Sequence, residues 1–142
     1  MIPQEIYRHD AFYRDAALGE FQRKYLVVLA RIPGDDLVVR LLTSKQHGRR
    51  EDPRCYHGYP YPGFYLGIIG EPLTVRSWVD LRYLDDFDPS TAPKMMAKGA
   101  LARVATLAKD MFVELLDCAA RAEDTTKLQE RAIRDQLARM SE

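Results

Sequence analysis

The sequence is short of the features that mark specialised classes of protein. None of its apolar runs approaches the roughly 20 residues that a membrane-spanning helix requires, and residues 1–5 lack the basic and apolar regions of a secretory signal. Charge of neither sign is in excess, because 21 basic residues balance 21 acidic ones. A chain that binds nucleic acid through its overall positive charge is therefore excluded. The apolar share of 46% and the charged share of 30% are typical of a single globular domain.

Cysteine is also scarce. Cys55 and Cys118 are too few for a disulfide framework, and two thiols far apart in sequence are typical of a protein in the reducing cytoplasm. We expect Cys118 to be a small buried apolar side chain and Cys55 to be a thiol in a loop. The sequence therefore predicts a cytoplasmic protein.

Catalytic signatures with a fixed spacing are absent. His9, His47 and His57 are scattered, and no HxxxH or CxxC spacing occurs, so neither a metal ion nor another cofactor is expected. The glycines form no P-loop or dinucleotide-binding pattern, and there is no GxSxG elbow. These absences argue against a metalloenzyme, a nucleotide-binding enzyme and a hydrolase with a catalytic triad.

The clearest local pattern is a β-hairpin. Residues 23–30 and 37–44 are rich in β-branched and leucine side chains, and a Pro-Gly-Asp-Asp turn at 33–36 joins them. Neither run alternates between apolar and polar residues, so we expect both faces of both strands to be buried, as in the centre of a small barrel.

Polar side chains return where the two hairpin strands meet. Arg23 and Lys24 begin the first strand, and Thr43 and Ser44 end the second. Antiparallel pairing brings these two ends side by side. The sequence therefore predicts that cations and hydroxyl groups converge at one rim, where they would hold a phosphate.

The rest of the chain shows β periodicity first and helical periodicity later. We predict further strands at 7–13, 63–69, 73–84 and 94–98, a helix at 101–121, and a last helix that begins at a Thr126–Gln129 capping box. Val75, Trp78 and Val79 are expected in the core. The pattern predicts a mainly β protein with α-helices, in which a small barrel with a packed helix (1–121) precedes a C-terminal helical extension (122–142).

The long segment 46–62 combines arginines with tyrosines. Guanidinium groups pair with phosphates and aromatic rings stack on unpaired bases, so this composition is typical of sites for single-stranded RNA. The candidate RNA-binding residues are His47, Arg49, Arg50, Arg54, Tyr56, His57 and Tyr59. The alternative is a solvated loop whose tyrosines pack back on the barrel. The acidic group Asp85, Asp86 and Asp88 is interpreted as a solvated turn.

Five short segments resemble, in the same order, motifs of the MazF/PemK-type toxin endoribonucleases. They are Arg8-His9-Asp10-Ala11-Phe12 (R-G-D-[IV]-[YW]), Arg23-Lys24-Tyr25-Leu26-Val27-Val28 (R-P-x-[LV]-V-[LIV]), Leu41-Leu42-Thr43-Ser44 (a strand ending in Thr-Ser), Ser77-Trp78-Val79-Asp80 (S-x-V-D) and Gly99-Ala100-Leu101 (G-x-[IL] before a helix). Two positions depart from the pattern, since His9 replaces a glycine and Lys24 replaces a proline.

This resemblance implies an SH3-like barrel that dimerises, cleaves single-stranded RNA without a metal ion and pairs with an antitoxin protein. Arg23 and Thr43 fall on the family's catalytic positions. In the mechanism we expect, the RNA 2′-hydroxyl attacks the adjacent phosphorus while Arg23 or Lys24 stabilises the phosphoryl charge. Thr43 would donate a hydrogen bond, assisted by Ser44. His47 and His57 are candidates for proton transfer.

Two other functions are compatible with the sequence. One is a non-catalytic barrel that binds a protein or a nucleic acid, and the other gives the C-terminal helices the main role as a dimer or partner-docking surface. The sequence does not determine whether Arg23 or Lys24 faces Thr43.

Overall fold

The structure, a computed structural model, describes residues 1–15, 19–84 and 87–141. In these residues it contains β1 (Glu5–Asp15), β2 (Glu20–Ile32), β3 (Asp36–Thr43), β4 (Cys55–Tyr56), β5 (Gly63–Gly67), β6 (Ser77–Asp80) and β7 (Leu101–Thr106), with helices α1 (Ala92–Ala97), α2 (Lys109–Ala120) and α3 (Lys127–Met140). The predicted mainly β fold with α-helices is confirmed. No helix in the described ranges is long and apolar enough to cross a membrane.

The strands form one antiparallel sheet in the order β4-β5-β6-β3-β2-β1-β7. The edges of the sheet are β4 and β7, and no pairing within the described residues joins them. Closure into a barrel therefore stays a prediction.

The β2–β3 hairpin is confirmed. Leu26 pairs with Leu41 and Val28 with Val39 across it, and the central residues of both strands, 26–30 and 38–40, are buried on both faces as predicted, whereas the strand ends are not. At its end β3 changes partner, because Leu42 and Thr43 pair with β6 instead of β2. This change places Thr43 beside Trp78.

The predicted strand at 73–84 is largely wrong, since only its centre, β6, is a strand. The chain bends at Val75 before it enters the sheet, and the Val75 side chain is 56% exposed instead of belonging to the core. Trp78 and Val79 are buried as expected. The predicted segments at 7–13 and 63–69 correspond to β1 and β5, whereas the predicted loop at 46–62 contains β4.

The predicted strand at 94–98 is wrong because residues 94–97 lie in α1 and Lys98 caps its C-terminus. The Asp88 side chain accepts a hydrogen bond from the Ser90 amide and begins a short 3-10 turn that leads into the helix. Proline in the first turn of α1 fits there because its missing N–H has no helical partner at that position. Ala, Lys and Met then favour continued helix.

The predicted helix at 101–121 is wrong in its first part. Residues Leu101–Thr106 form β7 and pair with β1, so the gain from completing a sheet ladder overrides their helical periodicity. Gly99, at φ +78°, lies in the turn before this strand, and Gly99-Ala100-Leu101 leads into a strand instead of a helix. The helix α2 begins later and buries Phe112, Leu115 and Ala119 as predicted.

The last helix, α3, begins at the predicted capping box. The Thr126 side chain accepts from the Gln129 amide, and the Gln129 side chain accepts from the Thr126 amide. Ile133 of α3 is fully buried in the core that β2 and α2 share. Gln129 also accepts from the buried Arg40 guanidinium at 3.0 Å, which links α3 to β3.

Candidate nucleic-acid interface

The predicted rim at the hairpin ends separates onto two faces. Neighbouring residues on a strand point to opposite faces. Lys24, two residues before Leu26, therefore shares a face with Thr43, two residues after the paired Leu41. Arg23 lies on the other face, where its Nε is 2.9 Å from the Asp10 carboxylate.

The two hydroxyl residues of the rim are accessible to different extents. Thr43 is half-buried, and its hydroxyl accepts a hydrogen bond from the Lys45 amide at 3.1 Å. A hydroxyl that accepts one hydrogen bond still has its own proton to donate. Ser44 is exposed. Of the predicted rim, the Thr43 hydroxyl and the Lys24 cation therefore lie on the same face of the hairpin.

The segment 45–62 is held on the outer side of the sheet by Arg49. The guanidinium of Arg49 donates to the carbonyl oxygens of Pro62 (3.2 Å) and Lys45 (3.0 Å) and lies 3.6 Å from the Asp80 carboxylate. Only 2% of Arg49 is exposed. Burial lowers the pKa of Arg49, and the Asp80 charge opposes that shift. This predicted RNA-binding residue therefore acts as an internal anchor of the segment.

Two residues of the sheet help to hold Arg49 and its neighbour in place. A Cβ on Gly63 would overlap Arg49 Cδ, so the glycine leaves the space that the arginine stem occupies. The Trp78 indole donates to the Arg50 carbonyl oxygen at 3.0 Å and fixes the next residue of the segment. The segment is thus ordered by contacts with β5 and β6.

Arginines and aromatic rings interleave on the outer side of β4, β5 and β6. Guanidinium carbons lie over rings at 5.6 Å (Arg50 and Tyr56), 5.7 Å (Arg54 and Tyr65), 5.0 Å (Arg82 and Tyr61) and 5.8 Å (Arg76 and Trp78). These separations are within the range of cation–π contacts. We call this surface the Arg–Tyr face and define it by Arg50, Arg54, Tyr56, Tyr61, Tyr65, Arg76 and Arg82.

The face follows from strand alternation. Phe64 and Leu66 of β5 point into the core, so Tyr65 between them points outward, where its ring lies 5.1 Å from that of Trp78. Sequence reasoning missed Tyr61, Tyr65, Arg76 and Arg82. The apolar Phe64 and Leu66 on either side of Tyr65 were the one available signal for an outward ring there.

Carboxylates balance some of these cations but not all. Asp80 binds Arg82 at 2.6 Å as well as Arg49, and Glu51 binds Arg76 at 2.6 Å. The hydrogen bond from Arg76 holds the pKa of the Glu51 carboxyl below its usual range. Within the described part of the chain, no carboxylate lies within ion-pair distance of Arg50 or Arg54. The Arg54 guanidinium instead donates to the Tyr65 carbonyl oxygen at 2.9 Å, so neither positive charge is neutralised by a carboxylate in that part of the chain.

The remaining candidates lie apart from one another. His47 stacks on Tyr61 at 4.9 Å, whereas His57 lies against α2, where its Nε2 is 2.9 Å from the Cys118 carbonyl oxygen. Tyr59 is 92% exposed. Among the residues that the structure describes, no hydrogen bond joins His47 or His57 to Thr43, and Asp85 and Asp86 lie outside those residues.

The cysteines correct the sequence-based expectation. Cys55 and Cys118 form a disulfide with a Cα–Cα distance of 5.7 Å, although 63 positions separate them in sequence. Cys55 pairs opposite Phe64 on the core side of β4, and α2 packs Cys118 against it. Together with His57, these residues bring two sulfur atoms and a ring nitrogen, atoms of the kind that bind metal ions, within 4.8 Å of one another. The spacing of these residues in the sequence did not predict this cluster.

Comparison of the chain with protein-family models, curated proteins and solved structures finds no match. The resemblance to toxin endoribonucleases thus depends on the short segments alone. The toxin role, the homodimer, the antitoxin partner and the cytoplasmic location stay predictions.

Proposed function

We propose that this protein binds single-stranded RNA through the Arg–Tyr face. The observation that carries the proposal is the interleaving of arginines and aromatic rings on one ordered surface. Cations along such a surface meet phosphates, and rings between them stack on unpaired bases. Binding of this kind needs no excess of positive charge over the whole chain.

The Arg–Tyr face is also preformed, and this supports RNA binding in addition to its composition. Arg49 and Trp78 hold the segment 45–62 on the sheet through hydrogen bonds to its backbone. A ligand that binds a preformed surface loses less conformational entropy than one that must order a loop. The Arg50 and Arg54 guanidinium groups, free of carboxylate partners among the described residues, are expected to contribute most of the electrostatic affinity.

The test is a fluorescence-anisotropy titration with a labelled single-stranded RNA of about 12 nucleotides, within the range that one small β domain covers. Replacing Arg50 and Arg54 together by glutamine should weaken binding at least tenfold and reduce the slope of log K against log salt by about 1–2. The matched control replaces Arg131 and Arg139, two exposed arginines of α3, and removes the same charge.

The control variant should bind like the unmodified protein. Equal weakening by both double variants would mean that binding follows net charge and not the Arg–Tyr face. Absence of binding by the unmodified protein at micromolar concentration would refute the proposal.

Cleavage of the bound strand is a second candidate function, favoured by the placement of Lys24 and Thr43 on one face of the hairpin. Lys24 would stabilise charge on the phosphoryl oxygens, and Thr43 would donate a hydrogen bond to the same group. The 2′-hydroxyl of the RNA would be the nucleophile.

Incubation with a long single-stranded RNA in EDTA tests this candidate. Thr43→Ala should slow cleavage about 100-fold, as expected for loss of one donor to a developing oxyanion. The control is Thr74→Ala, which alters an exposed threonine away from the rim. If the protein binds the RNA without cleaving it, the protein is a binding module and not a ribonuclease. If both variants cleave at the same rate, Thr43 takes no part in the reaction.

A further inference from the structure

The cluster at Cys55, Cys118, His57 and Arg121 lies outside the Arg–Tyr face, and none of its side chains belongs to that face. The His57 Nε2 is 3.4 Å from Cys55 Sγ and 3.5 Å from Cys118 Sγ. The Arg121 guanidinium is 3.8 Å from Cys55 Sγ and is held by Asp117 at 3.0 Å. Cys55 is half-buried, and Cys118 is fully buried.

The hydrogen bond of His57 indicates what the cluster is suited to bind. Its Nε2 lies 2.9 Å from the Cys118 carbonyl oxygen, which only accepts hydrogen bonds. The Nε2 therefore carries a proton, which it donates to this oxygen, and the same N–H group lies within 3.5 Å of both sulfur atoms. A protonated ring nitrogen is not a metal ligand, and a neighbouring guanidinium repels a divalent cation, so the arrangement argues against a metal site.

The same groups that disfavour a metal cation stabilise a negatively charged thiolate. Once the disulfide is opened, the charge of Arg121 and the positive end of the nearby His57 N–H dipole would both stabilise the Cys55 thiolate. The thiolate is the nucleophile in thiol–disulfide exchange. Because Cys55 is the more accessible of the two residues, it is the sulfur that an external molecule reaches first.

We propose that Cys55 and Cys118 are a redox-active pair that exchanges with small thiols and disulfides, and that their disulfide strengthens RNA binding. The second part rests on the proposed function. In the oxidising direction the Cys55 thiolate attacks a small disulfide RSSR, which forms a mixed disulfide and releases one thiolate. The Cys118 thiol then loses its proton and attacks the Cys55 sulfur, which closes the protein disulfide and releases the second RSH. The pair thus gives up two electrons, and RSSR is reduced to two thiols.

The link to RNA binding is the position of the disulfide. It joins α2 to β4, an edge strand of two residues, Cys55 and Tyr56. Tyr56 is the ring beneath Arg50 on the Arg–Tyr face. Reduction removes the covalent tie from this short strand, so we expect the Arg50–Tyr56 part of the face to lose order.

The first experiment follows the thiols without RNA. In the reduced protein, iodoacetamide should modify Cys55 before Cys118, and His57→Gln or Arg121→Gln should slow the Cys55 reaction by about threefold or more, since a less stabilised thiolate is less populated. In a Cys118→Ala variant, glutathione disulfide should leave one glutathione on Cys55. Equal rates in all variants, or one zinc ion bound per reduced chain, would overturn the redox assignment.

The second experiment repeats the RNA titration with oxidised and reduced protein. Reduction should weaken binding about threefold to tenfold, as expected when part of a stacking surface loses order. A Cys55→Ser, Cys118→Ser variant should bind RNA like the reduced form. If that variant does not fold, the control is reversibility: re-oxidation of the reduced, unmodified chain should restore the affinity. Equal affinity in both states would refute the coupling, whereas absence of RNA binding in both would refute the proposed function and leave the thiol results standing.

Discussion

An Arg49→Met variant should lose about 2–5 kcal/mol of unfolding free energy and most of its RNA affinity, because it removes the hydrogen bonds that hold the segment 45–62 on the sheet, while Asp80 keeps its ion pair with Arg82. The Arg49 side chain is 1% exposed and the Asp80 side chain 11%. Methionine fills similar volume but leaves the carbonyl oxygens of Lys45 and Pro62 without a donor. Each such part-buried acceptor left without a partner costs about 1–3 kcal/mol.

Urea denaturation measures this loss as a lower midpoint at unchanged slope. The control is Arg50→Met, which alters the exposed neighbour and should stay within about 0.5 kcal/mol of the unmodified protein. Gly63→Ala probes the same contact from the other side, since the new Cβ would lie 2.7 Å from Arg49 Nε. It should destabilise in the same direction. An Arg49→Met variant as stable as the control would show that Arg49 does not anchor the segment.

The elements that the sequence predicted well are those specified by neighbouring residues. The β2–β3 hairpin needs only two apolar runs and a turn, and the turn places Gly34 and Asp35 at positive φ. The capping box of α3 needs only Thr126 and Gln129, three positions apart. Both patterns are complete within a short window, so tertiary packing had little scope to override them.

The elements that it predicted wrongly depend on distant partners. Residues Leu101–Thr106 have helical periodicity but pair with β1, and the paired residues Ile6 and Ala105 lie 99 positions apart in the sequence. The disulfide depends on α2 packing over β4, a contact that joins residues 63 positions apart. Periodicity within one segment contains no information about either contact.

The candidate site shows the same division. The sequence identified the arginine and tyrosine composition of 46–62, but it did not separate Arg49, which is buried, from Arg50, which is exposed. That difference depends on Gly63 and Asp80, which lie on other strands. Likewise, which residue shares the face of Thr43 follows from strand alternation on either side of the Leu26–Leu41 pair, and this alternation places Lys24 on that face.

Reduction of the disulfide should lower the unfolding free energy by about 3–4 kcal/mol, because the cross-link restricts the unfolded chain over a long loop. The sequence separation of 63 residues places it among cross-links that close large loops. Urea denaturation with and without reductant measures the difference. A Cys55→Ala, Cys118→Ala variant should match the reduced protein and be insensitive to reductant. Equal stability of the oxidised and reduced protein would contradict the prediction.

Arg49 and the disulfide hold opposite ends of the segment 49–55, so their effects should not add. Once either tie is lost, this segment can detach locally while the rest of the sheet stays folded. The second loss then removes contacts that are already partly broken. We therefore expect Arg49→Met to destabilise the reduced protein less than the oxidised one, by more than the roughly 0.5 kcal/mol that separates coupled from independent sites. If Arg49→Met lowers the unfolding free energy equally in the oxidised and the reduced protein, Arg49 and the disulfide stabilise separate parts of the fold.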